Sequence, residues 1–83
     1  MATLEQVRQI VGEVLQLGPR ADDMNAQTAL LGNLPEFDSM AVVSVITALE
    51  ENFDIVVEDE DIQAETFETL GQLTSFVESK MGL

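Results

Sequence analysis

The sequence predicts an all-α protein: a small four-helix bundle of three main helices and one short third helix, with a long loop between helices 1 and 2. Three observations carry this expectation. Apolar residues recur at helical intervals in three separate segments. Residues 19–37, between the first two of them, hold no sustained period. The one stretch that also reads as a short strand, Asp54 to Asp61, owes that reading to Ile55-Val56-Val57 and passes at once into acidic residues suited to a helix start.

Taken in order, Thr3 opens the first helix, with Gln6 at capping-box spacing. Leu4, Val7, Ile10, Val11, Val14 and Leu15 form its apolar stripe, and Gly18-Pro19 stops it. The loop that follows carries two Pro, one Gly and several Asx residues. Loops of that length in so small a domain are usually functional or disordered. The Leu30-Leu31 pair and Leu34 argue that this one is pinned to the core before it ends at Phe37. Asp38 is a good N-cap for a second helix running to about Asn52. At 100° per residue, Val42, Val45, Ile46, Leu49 and Phe53 fall on one arc, which is the core face. Met40, Val43, Ser44, Thr47 and Glu51 fall opposite, so two apolar side chains point to water directly after Ser39. A short acidic helix is expected near residues 59–64. Thr69 with Gln72 caps a last helix whose stripe is Leu70, Leu73, Val77 and Met81.

Composition excludes most chemistry. The 83 residues make a single domain, residues 1–83, without room for a buried catalytic cleft. There is no Cys, hence no disulfide, thiol nucleophile or zinc knuckle, and no His, the usual general base and commonest metal ligand. A serine nucleophile would find only carboxylates, Arg8, Arg20 and Lys80, at no spacing that suggests a dyad. No catalytic residue is therefore assigned, and the chain reads as no enzyme. No metal site is assigned either: counted as a calcium loop from Asp59, Ala64 stands where Gly is required and Leu70 where the closing Glu is required. Sixteen acidic residues against three basic ones give a net charge of −13, which repels nucleic acid and anionic membranes and attracts basic protein patches. The longest apolar-rich run, Ala41 to Leu49, is too short to span a bilayer. No basic region precedes an apolar stretch at the N-terminus, so the expected setting is the cytoplasm.

Ser39 stands apart from this bland picture. At the start of a helix it is either a residue suited to a first turn or an anchor for something the chain lacks. Unpaired amides and the positive end of the helix dipole favour an anion there, so a phosphate on Ser39 would gain from both. A phosphodiester at that hydroxyl could also bring the thiol that a cysteine-free chain does without.

The stretch LLGNLPEFDSMAVVSVITALEENFDIVVEDED, Leu30 to Asp61, resembles the acyl carrier protein family around its prosthetic-group serine. Asp38-Ser39-Met40 stands in the place of that family's Asp-Ser-Leu or Asp-Ser-Met. An apolar helix follows and ends in Ala48-Leu49-Glu50-Glu51-Asn52-Phe53. Asp54 begins the linker to an acidic third helix, and Phe67-Glu68-Thr69-Leu70 resembles the opening of the last one. The resemblance covers essentially the whole chain. It implies a four-helix bundle, and 4′-phosphopantetheine joined covalently to Ser39 by a phosphopantetheinyl transferase, with acyl groups carried as thioesters. It also implies a monomer whose second helix docks on basic patches of acyl-loading and acyl-using enzymes, through Met40, Val43, Thr47, Glu50, Glu51 and Asp54.

The chain departs from the family's fatty-acid-synthesis members in particular places. Ala41 and Ser44 stand where those carriers usually have acids, Glu58 where many have Pro, and the linker to Phe67 is about two residues longer. A dedicated carrier for a specialised lipid, polyketide or related pathway fits these differences at least as well as a fatty-acid carrier. The alternatives are an aminoacyl or peptidyl carrier, or an acidic helical interaction module in which Ser39 is never modified.

Overall fold

The computed structural model describes residues 2–30 and 38–82. Three α-helices, α1 (Ala2–Val14), α2 (Ser39–Phe53) and α3 (Leu70–Met81), are joined by segments that, among the described residues, form 3-10 turns at Gly18–Asp23, Asp59–Asp61 and Ala64–Phe67. The expected short third helix is thus realised as two 3-10 turns. Ile62 and Gln63 between them are extended, at ψ 92° and 153°, which breaks the ladder a single helix needs. Ile55-Val56-Val57 form no strand. Ile55 is a single buried anchor and Val56 is exposed.

The apolar stripes meet in one core. Val7, Ile10, Val11, Leu15 and Leu17 come from α1 and its exit, Val45, Ile46 and Leu49 from α2, and Leu70, Leu73 and Val77 from α3. Met24, Leu30, Ile55 and Phe67 close the gaps. Full burial of such side chains stabilises by roughly 1.5–3 kcal/mol each. Some edges of the stripes differ from expectation. Leu4, Val14, Val42 and Phe53 are only half-buried and Met81 is exposed, because the bundle tapers at the helix ends. Thr3 does not open α1 but is buried inside its first turn, since the helix already begins at Ala2.

All three helices end on a residue with positive φ: Gln16 at 55°, Asp54 at 54° and Gly82 at 83°. After α1 the Gln16 amide donates to Glu13 O at 3.3 Å and the Leu17 amide to Gly12 O at 2.9 Å. This is the Schellman pairing, with Gln where Gly is the usual residue.

The long loop is pinned where Leu30 predicts. Gly71 N donates to Ala26 O at 2.9 Å, Leu70 N to Thr28 O at 3.0 Å, and Leu30 N to Glu68 O at 2.9 Å, around a bridge between Ala29 and Thr69. Thr69 Oγ1 accepts from Gln72 N at 3.1 Å, which confirms its capping role. The first amides of α3, orphaned in an isolated helix, are thus all engaged. Leu31, Leu34 and Phe37, the other expected anchors, lie outside the described residues.

Candidate functional site

The candidate site is the start of α2. Asp38 has extended backbone, at φ −95° and ψ −173°, and its Oδ1 accepts from Ala41 N at 2.9 Å, as an N-cap does. Its carbonyl accepts from Val42 N at 3.0 Å. Ser39 is therefore the first helical residue, and it is exposed. The amides of Ser39 and Met40 have no intrahelical acceptor, and among the described residues no group accepts from either. In α3 the equivalent amides go to loop carbonyls; here they face outward with the helix dipole behind them.

An apolar cleft of about 330 Å³ opens beside the serine. Val42 and Val43 of α2 line it with Ser39 on one side, and Ile62, Gln63, Ala64 and Phe67 on the other. The second wall was not legible in the sequence. The one available signal is Ile62, an apolar residue at the end of a run of four acids.

The outward residues of α2 lie where the helical wheel puts them. Met40 is 79% exposed, Val43 62%, and Thr47 is exposed with its hydroxyl donating to Val43 O at 3.0 Å. The three share one face with Ser44. Glu51 and Asp54 are exposed beyond them, Asp54 at the helix C-terminus. Glu50 is placed differently. It is half-buried, and its Oε2 accepts from Val57 N at 2.9 Å, tying the linker to α2.

Behind the second wall, Lys80 Nζ donates to Asp61 Oδ2 at 2.7 Å, and the Glu58 amide reaches the same oxygen at 3.1 Å. The Lys80 hydrogen bond first, and the Glu58 amide second, hold the Asp61 carboxyl below its ordinary range, while Asp61 holds the Lys80 ammonium above its own. Among the described residues no group of acids is arranged to hold a metal ion, and no helix is long and apolar enough to cross a membrane.

The arrangement suits a phosphodiester. The hydroxyl is exposed, two amides without an acceptor among the described residues favour an anion, and an apolar cleft starts at the same residue.

Three comparisons bear on the chain as a whole. The family model described as "Phosphopantetheine attachment site" matches residues 5–77. An acyl carrier protein from a Sulfurovum species is 35% identical over 79 residues, which covers 95% of this chain and 99% of that one. The solution NMR structure of a holo acyl carrier protein from Nitrosomonas europaea superposes with a TM-score of 0.92 at 59% identity, covering 100% of both chains.

Proposed function

We propose a function from the premise that this chain belongs to the acyl carrier protein family, with its phosphopantetheine attachment domain. The protein is a carrier used by other enzymes and is not itself an enzyme. Our reading is that Ser39 is the attachment point. The observation that carries it is the exposed hydroxyl at the first position of α2, capped by Asp38 and opening on an apolar cleft.

In the loading step, Ser39 Oγ forms a bond to the phosphorus of coenzyme A that bears the pantetheine. The bond from that phosphorus to the bridging oxygen breaks, adenosine 3′,5′-bisphosphate leaves, and the transferase takes the serine proton. Asp38 orients the helix start and does not need to act as base. The Ser39 and Met40 amides then face the new phosphodiester, which the helix dipole favours. When bound, the arm supplies a terminal thiol that holds acyl groups as thioesters.

The partners we assign are a phosphopantetheinyl transferase and acyl-loading and acyl-using enzymes with basic docking patches, met by Met40, Val43, Thr47, Glu51 and Asp54 on α2. Glu50 contributes charge to that surface while its carboxylate braces Val57. The pathway we favour is a specialised lipid or polyketide one. Its support is that α2 carries no charged residue from Ser39 to Leu49, unlike the acidic helix of a bulk fatty-acid carrier. We place the protein in the cytoplasm as a monomer of one domain.

The test is intact-protein mass after incubation with coenzyme A, magnesium and a broad-specificity phosphopantetheinyl transferase, beside Ser39→Ala. The expected result is a gain of one arm in the wild type and none in the mutant, with the same circular dichroism for both. A folded wild-type chain that gains nothing from several transferases would point instead to an interaction module.

A further inference from the structure

The wall facing Ser39 across the cleft is held by short local hydrogen bonds and not by an α-helical ladder. From Asp59 to Phe67 it is two 3-10 turns joined by extended Ile62 and Gln63, and 3-10 hydrogen bonds are poorer than those of an α-helix. Ile62, Gln63, Ala64 and Phe67, all from this wall, line the cleft. Phe67 is buried and fixes the far end. The near end is fixed by Lys80 of α3, whose Nζ lies 2.7 Å from Oδ2 of Asp61, the residue directly before Ile62. Because the Glu58 amide reaches the same oxygen at 3.1 Å, one carboxylate both shapes the turn and joins it to α3.

Lys80 is the sole lysine of the chain. It lies 5.8 Å from the centre of the Phe76 ring, against the edge of the core, and besides pairing with Asp61 it feels the charges of Glu58 and Glu60. A cation there offsets part of the mutual repulsion of those charges and so favours the turn's place against the bundle. The cleft itself is small: about 330 Å³, at the low end of the roughly 300–1,000 Å³ of ligand pockets. The Ile62 side bounds the cleft opposite α2, so outward movement of that wall widens it, and the tie to α3 bears on how readily the wall moves.

We propose that Lys80, acting through Asp61, is a positioning residue that sets the width of the cleft beside Ser39 and so the length of acyl group sheltered there. This rests on the attachment to Ser39 proposed above, but the tie itself is open to test without it.

In the unmodified chain, amide hydrogen exchange across residues 58–67 is compared for wild type, Lys80→Arg and Lys80→Met. Lys80→Met is expected to exchange about two- to fivefold faster in that segment, the range of an exposed ion pair. Lys80→Arg should match wild type, and the difference should shrink in high salt. Equal exchange in all three overturns the proposal, whether or not an arm is ever attached.

In the loaded chain, acyl groups of increasing length are installed on Ser39 from acyl-coenzyme A by the transferase. Hydroxylamine then cleaves each thioester to a hydroxamate and the free thiol, and the rate is measured. The wild type should protect short chains best. In Lys80→Met the best-protected length should become longer, with short-chain thioesters cleaved about two- to fivefold faster. A uniform acceleration at every length would mean that Lys80 only stabilises the bundle, and would overturn the proposal. Failure of Ser39 to load would remove the carrier reading, while the exchange result still decides the tie.

Discussion

Replacing Asp38 by Ala separates the two jobs this residue holds. Its Oδ1 accepts the Ala41 amide at 2.9 Å and so caps α2. Loss of such a cap costs typically about 1 kcal/mol, within a range of roughly 0.5–2. Its negative charge at the helix N-terminus adds about 0.3 kcal/mol, the low end of the dipole interaction, because Asp38 is exposed. The sum is about 1.3 kcal/mol. For a domain of this size, 1 kcal/mol at the midpoint shifts Tm by roughly 4–8 °C, so Asp38→Ala should melt about 5–10 °C below wild type. Asp38→Asn keeps the acceptor, since Asn and Asp rank together as caps, and should fall by only about 1–3 °C. The assay is a set of thermal melts by circular dichroism in one buffer, with transferase loading measured beside it. If the cap is what holds Ser39 in place, loading should follow the melts: reduced in Asp38→Ala and largely kept in Asp38→Asn. Two results would refute the reasoning. Asp38→Ala melting with the wild type would mean that the hydrogen bond contributes nothing. Asp38→Asn falling as far as Asp38→Ala would mean that charge, not capping, does the work.

Other perturbations have outcomes fixed by single contacts. A Cβ added at Gly71 would lie 2.7 Å from the backbone oxygen of Ala26. Neither backbone can yield cheaply, so Gly71→Ala should destabilise by about 1–2 kcal/mol despite the better helix propensity of Ala, and a raised Tm would contradict that close approach. Gln16→Gly should do the opposite. At φ 55° a side chain carries a cost of roughly 1 kcal/mol that glycine avoids, so a rise in the denaturant midpoint with unchanged slope is expected. In acid, the sign follows from the depressed Asp61 carboxyl. Its contribution is complete above the ordinary carboxylate range and is lost as pH falls through the lowered value. Wild type and Asp61→Asn should therefore differ in Tm at neutral pH and converge in strong acid; a constant gap would show that the carboxylate's charge is not involved.

What was legible in the sequence was local. Asp38 is readable because capping needs only a side chain three residues from the amide it binds, and Thr69 is readable for the same reason. The outward places of Met40 and Val43 follow from helical geometry alone. The fourfold acidic run was not readable in this way. It has no period, its turns are 3-10, and its position depends on Lys80, nineteen residues beyond Asp61, which no local rule connects to it. Glu50 was expected to supply charge to a partner surface; its bond to the Val57 amide, seven residues on, is a further contact that no local rule predicts. Thr3 fits a capping pattern that the helix overruns by one residue.

The pairing of residues 26–30 with 68–71 has a kinetic consequence. It closes a ring of chain that encloses all of α2 and the wall of the cleft. Ring closure costs entropy that grows with the logarithm of the span, and its hydrogen bonds form only once α3 offers its first turn. The clasp therefore shuts on the downhill side of the folding barrier. Changes at Ala26, Thr28 or Gly71 should quicken unfolding and leave the folding rate nearly unmoved, the mark of low-φ positions. The lifetime of the folded state that presents Ser39 then depends in part on a clasp of three backbone hydrogen bonds midway along the loop that leads to it.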